Sequence, residues 1–264
     1  LSNKERGPVS LRTFFLGQFS PRAWQILSIL LIIQFQGMLA LAWIFRDSSV
    51  SASTPFRNLI STLGQGRAEG NPGAWIFLCC FCLFALLLIP WHLNLAARVG
   101  RFNNTASTVL KAMGLLSLVG VACVGIFDER QMGPISQELS RVMHGFGAVT
   151  AFGGHCVVAF LSWSILANYY RGASPEKRSL IGHPGKILVS VLLLVFPLIL
   201  VCALQLPDLR KTLVQSIGGP APEIVWRIPF WQWSLMIALL CWLYSMGRWY
   251  PLHFEVEQEA EADA

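Results

Sequence analysis

Charge is the scarcest resource in this chain. Only 13% of its 264 residues are charged, against about 25% in an ordinary soluble domain. That shortage, with 54% hydrophobic residues and a mean hydropathy of +0.55, excludes a soluble globule. None of the carboxylates falls inside a long apolar run. The mid-membrane acid of proton-coupled carriers is therefore missing, as are the charged rings and carbonyl filters of channels. No loop carries a cysteine: Cys79, Cys80, Cys82, Cys123, Cys156, Cys202 and Cys241 all lie in apolar runs. A disulfide framework is thereby excluded. Cys79-Cys80-x-Cys82 lacks the second cluster of a metal tract and reads as packing. There is no internal repeat, which argues against an inverted-repeat transporter. There is also no arginine-rich helix or recognition motif, so the net charge of +6 does not indicate nucleic acid.

What is present is a series of apolar runs long enough to cross a bilayer. Six spans are predicted, at Trp24–Phe45, Ala74–Leu95, Thr108–Phe127, Met143–Tyr169, Ile187–Gln205 and Pro229–Gly247. The expected fold is all-α, a polytopic six-helix bundle over 24–248. A cytoplasmic segment (1–23) precedes it and an acidic tail (249–264) follows. The first run is too long for a signal-peptide core and has no small-residue cleavage site after it, so it is expected to stay in the mature protein. Twelve of the 20 Lys and Arg residues fall in the two termini and the 96–111 and 170–186 connections. Positive-inside counting then puts both termini in the cytoplasm, where the Asn103-Asn104-Thr105 sequon would go unused. Trp24 and Trp43, Trp75 and Trp91, and Trp231 and Trp249 bracket three spans and read as an interfacial belt. Pro90 and Pro197 should kink the second and fifth spans. Residues 255–263, with five acids in nine positions, should form a solvated, disordered tail.

Three histidines and one acidic cluster could carry chemistry. His144 and His155 lie about three turns apart on one face of span four, roughly 16 Å along the axis, too far to share a metal. His144, Ala148, Ala151 and His155 form a stripe flanked by Gly147 and Gly154. Such small residues let another helix approach, so span four is expected at the centre of the bundle. Asp128 and Glu129, at the end of span three, should reach the same non-cytoplasmic face as His144. A carboxylate beside an imidazole can orient its tautomer or help hold a metal. The cluster reads either as a polar lock on the hairpin or as a catalytic or metal site, with no nucleophile motif around Ser136 or Ser140. His92 is expected near the cytoplasmic face and His155 near the middle. These two are the weak cofactor candidates, but no pair is level, so a bis-histidine haem is not expected. A single histidine on a pigment would leave almost no trace in a sequence.

Gly125-Ile126-Phe127-Asp128-Glu129, a short polar loop, then His144-Gly-Phe-Gly-Ala148 and Phe152-Gly153-Gly154 resemble a group of six-span membrane proteins. The group comprises the damage-regulated autophagy modulators, the Frag and Sfk proteins and a bacterial family of uncharacterised domain. Gly125 and Phe127 match its Gly-x-Phe element, and His144 and Ala148 its His-x-x-x-Ala element. The resemblance covers residues 125–154 and elsewhere rests on span count and topology. It implies a lipid-related or regulatory membrane role without a settled catalytic mechanism. Bacterial members often carry Pro where this chain has Asp128, so no role of Asp128 is carried over.

The expected function is therefore that of an integral membrane protein, plasma membrane favoured, that binds lipid or a partner membrane protein, needs no cofactor and performs no chemistry. One alternative is a membrane-embedded lipid hydrolase or transferase using His144 with Asp128 or Glu129. Another is an accessory subunit of a larger redox or pigment-containing complex.

Overall fold

The computed structural model describes residues 11–18, 20–48, 59–100, 103–127, 136–175, 178, 184–217 and 227–250. Its elements are α1 (Leu11–Phe15), α2 (Pro21–Ile44), a 3-10 turn (Ile60–Gly64), α3 (Pro72–Gly100), α4 (Asn104–Ile126), α5 (Gln137–Gly172), α6 (Gly185–Gln205), α7 (Pro207–Ile217) and α8 (Ile228–Trp249). Six of them, α2 to α6 and α8, are long and apolar enough to cross a membrane. No strand occurs among the described residues. The chain is an all-helical, multi-pass membrane bundle.

Local chemistry sets the helix starts. Ser20 accepts from the Ala23 amide at 3.2 Å, with Pro21 behind it in the first turn. Asn103 accepts from Ala106 at 2.9 Å, and Ser136 from Leu139 at 3.2 Å. Each cap satisfies an amide that the helix itself cannot. Pro90 and Pro197 both lie inside helices that continue past them. The 206–228 connection, which the hydropathy pattern leaves as loop, contains α7. The expected tail begins too early at 249: Trp249 still belongs to α8 and Tyr250 is buried, while residues 251–264 lie outside the described residues.

Each span packs against the next in sequence, and α8 closes back on α2. The six therefore form a ring in chain order, with both described ends of the chain at one end of it, the termini face. In α2 the residues Trp24, Leu27, Leu31, Phe35, Leu39 and Ala42 turn inward. Ile33, Val149 and Phe196 turn outward, 62%, 72% and 58% exposed. In water these would be an aggregation hazard, but in hydrocarbon they are the solvated surface.

The tightest approach is between α4 and α5. A Cβ on Gly120 would stand 2.5 Å from the Ala151 amide nitrogen, and one on Gly147 2.7 Å from the Cys123 Cβ. A Cβ on Gly154 would lie 2.7 Å from the Ser117 Cβ. Without a hydrophobic driving force between helices, such backbone approach is a principal source of association.

The tryptophan belt needs correction. Trp43 and Trp75 are exposed, but Trp24 and Trp91 are completely buried, together with Trp242. Trp24 and Trp91 sit with ring centroids 5.2 Å apart, Trp91 and Trp242 5.3 Å, and Trp24 and Tyr250 6.4 Å. These rings fill the middle of the ring of helices. Their bulk, rather than an interfacial preference, determines where they lie.

Candidate functional site

Near the termini face, buried polar groups from four segments meet. Asn94 donates to the Gly17 carbonyl at 2.5 Å, and Arg98 Nε donates to Asn94 Oδ1 at 2.7 Å. The Arg98 guanidinium lies 5.4 Å from the Trp24 ring centroid. Tyr250 donates to the Ser162 carbonyl at 3.5 Å. Gly17 adopts φ of 70°, and a Cβ there would strike Asn94 and Leu93. Sequence reasoning assigned Arg98 to a cytoplasmic loop; it is buried because α3 runs five residues beyond the predicted Leu95.

Deeper in the bundle, His92 of α3 and His155 of α5 face each other, Nε2 to Nε2, at 3.3 Å. Both are buried. The sequence-based expectation that no two histidines are level was wrong, because His155 lies nearer the termini face than the middle. His92 is 20 residues past Pro72 and His155 is 18 past Gln137. At 1.5 Å per residue both lie about 27–30 Å from the same end of the bundle. The predicted span limits, Leu95 and Met143, hid this level pairing. His92 reaches across because α4 presents Gly114, where a Cβ would be 2.9 Å from His92 Nδ1.

The hydrogen-bond pattern assigns the protons. His155 Nδ1 donates to the Ala151 carbonyl at 2.7 Å. A carbonyl only accepts, so in the neutral ring His155 Nε2 is bare and accepts from His92 Nε2–H. Among the described residues, the buried acceptor His92 Nδ1 then has no hydrogen-bond partner, and neither do the buried donors Trp24 Nε1 and Trp242 Nε1. The arrangement does not fit a haem. Iron at about 2 Å from each nitrogen, with a porphyrin plane between them, needs a wider gap and free space on four sides. These rings instead touch each other, Trp91 at 5.1 Å and Trp242 at 6.2 Å between centroids. Among the described residues no group of three or more His, Cys, Asp or Glu could hold a metal ion.

His144 lies elsewhere, near the end of the bundle opposite the termini. It is buried, and its Nδ1 donates to the Phe127 carbonyl at 2.8 Å. That bond joins the third turn of α5 to Phe127, the residue that caps the end of α4. Asp128 and Glu129, its expected partners, lie outside the described residues. Ala148 lines a narrow cavity beside His144, whereas Ala151 and the flanking Gly147 and Gly154 face α4.

That cavity also receives Ser61 and Gln232. Gln232 Oε1 accepts from the Ile60 amide at 2.9 Å, which fixes the 3-10 turn against α8. With a volume of about 20 Å³, the cavity has room for a single water. Ser61 was invisible as a candidate because it lies some eighty residues from His144 in a segment without a motif. Ser61 is one of five serines in a Ser- and Gly-rich connection between spans, which gives it no distinguishing signal.

A second feature opens to the membrane. Between α2 and α8 runs a groove lined by Ile32, Gln36, Ile237, Leu240 and Tyr244. Gln36 is exposed and makes no hydrogen bond with any described residue. It stands eight residues before the end of α2, about 12 Å along the axis and therefore inside the hydrocarbon. Compared with family models, with characterised proteins and with solved structures, the chain matches none of them.

Proposed function

We propose that this protein works without chemistry of its own, by binding another membrane component, lipid or membrane protein, along the α2–α8 face. The observation that carries this reading is Gln36, an amide directed at hydrocarbon beside an open groove. A polar side chain at that depth is costly unless something meets it. The resemblance of residues 125–154 to the Frag, damage-regulated autophagy modulator and Sfk group supports a lipid-related or regulatory role of the same kind.

The test is purification of the full chain in native-lipid nanodiscs, with mass spectrometry of everything retained. A lipid or protein held in stoichiometric amount by the wild type, and lost in Gln36→Leu, is the expected result. Equal retention by both would refute the assignment of the face.

A second reading has its own support. Ser61 and His144 line one cavity, which brings a hydroxyl to the neighbourhood of an imidazole held by its Nδ1 bond to the Phe127 carbonyl. In this reading the site is a lipid hydrolase or transferase, with Asp128 or Glu129 assisting. Release of fatty acid from added phospholipid, abolished in Ser61→Ala, would displace the non-enzymatic reading.

A further inference from the structure

The outward face of α2 has a definite period. Ile26, Ile29, Ile33, Gln36, Ala40 and Trp43 are all exposed and are spaced alternately three and four residues apart. This is the seam along which two membrane helices cross at a shallow angle. Spacing alone does not decide the matter, because every lipid-facing stripe follows the helix. Gln36 does. It lies within the seam, between Ile33 and Ala40.

The occupant follows from the chemistry of the amide. Acyl chains offer neither donor nor acceptor, and lipid ester groups and water lie at the interface, not at this depth. A helix that carries a group with both a donor and an acceptor to the same level satisfies the amide fully. This chain carries such a group. About a two-fold axis along the membrane normal, two α2 helices run parallel, so Gln36, as a seam position, meets Gln36 of the second copy. A primary amide is self-complementary, each N–H donating to the other carbonyl. We infer that this chain pairs with a second copy of itself through α2, amide to amide at Gln36. The inference rests on the proposed role of the α2–α8 face and commits that face to one occupant.

The experiment uses the full chain, fluorescently labelled, in liposomes over a range of protein-to-lipid ratios, with photobleaching steps counted per particle. Wild type should pass from one step to two as density rises, and Gln36→Leu should need roughly tenfold higher density for the same dimer fraction. Ile33→Cys should form a disulfide-linked dimer on oxidation beyond the wild-type background, whereas Val189→Cys, on the outward face of α6, should not. Monomer at every density, or equal cross-linking at the two positions, overturns the pairing. If the monomer retains a lipid or a foreign protein, the pairing falls and the wider reading of the face stands. If it retains nothing, both fall.

Discussion

His92 of α3 and His155 of α5 form a direct imidazole–imidazole hydrogen bond of 3.3 Å in the interior of the bundle. With the His155 bond to Ala151 it makes a two-link chain that ties α3 to α5 across α4. Breaking one link leaves the other ring with an unsatisfied buried nitrogen, and such a group costs about 1–3 kcal/mol. His155→Phe and His92→Phe should each lower the thermal midpoint in detergent. The double variant should lose less than the sum, with a coupling of roughly 0.5–3 kcal/mol. Strict additivity would mean that the rings do not interact.

The α4–α5 contact gives a sterically graded test. Gly120→Ala places a methyl against backbone of α5 and should destabilise by about 1–3 kcal/mol. Gly145→Ala, on the same helix as Gly147 but with nothing within 4 Å, should be neutral or stabilise by up to about 1 kcal/mol. Chemical unfolding in mixed micelles separates the two.

Tryptophan fluorescence tests the correction to the belt. In bilayers containing brominated lipid, Trp75→Phe should reduce the quenchable fraction, because Trp75 is 54% exposed. Trp91→Phe should lower total emission and leave that fraction nearly unchanged, since Trp91 is fully enclosed and donates to Ser28 at 2.8 Å.

His144→Ala should lower stability by about 1–3 kcal/mol through the carbonyl it abandons at Phe127. Ser61→Ala should change the midpoint by less than His144→Ala. If instead both variants keep their midpoints and both lose a lipid-cleaving activity, the cavity is catalytic.

The number of spans and their approximate limits were legible because hydrocarbon imposes its length on any run of apolar residues. The histidine pairing was not. Depth read from hydropathy stops where charge begins, yet α3 carries Arg98 inside the bundle and α5 begins six residues before Met143. Errors at opposite ends of two helices moved His92 and His155 apart on paper. Trp24 and Trp91 were misread for a related reason: a ring near a span end is interfacial only if no other segment covers it, and Tyr250 packs over Trp24. Gln36 drew no notice because an uncharged amide barely alters a hydropathy sum, although its exposure to lipid is what distinguishes α2. Ser61 required the tertiary fold, since only the turn at 60–64 brings it to the cavity.

The closure of α8 on α2 imposes an order on biogenesis. The α2 span must wait for α8 before its inner side is covered, and until then the indole of Trp24 faces an open slot. A nascent chain stalled before Ile228 therefore displays an incomplete horseshoe.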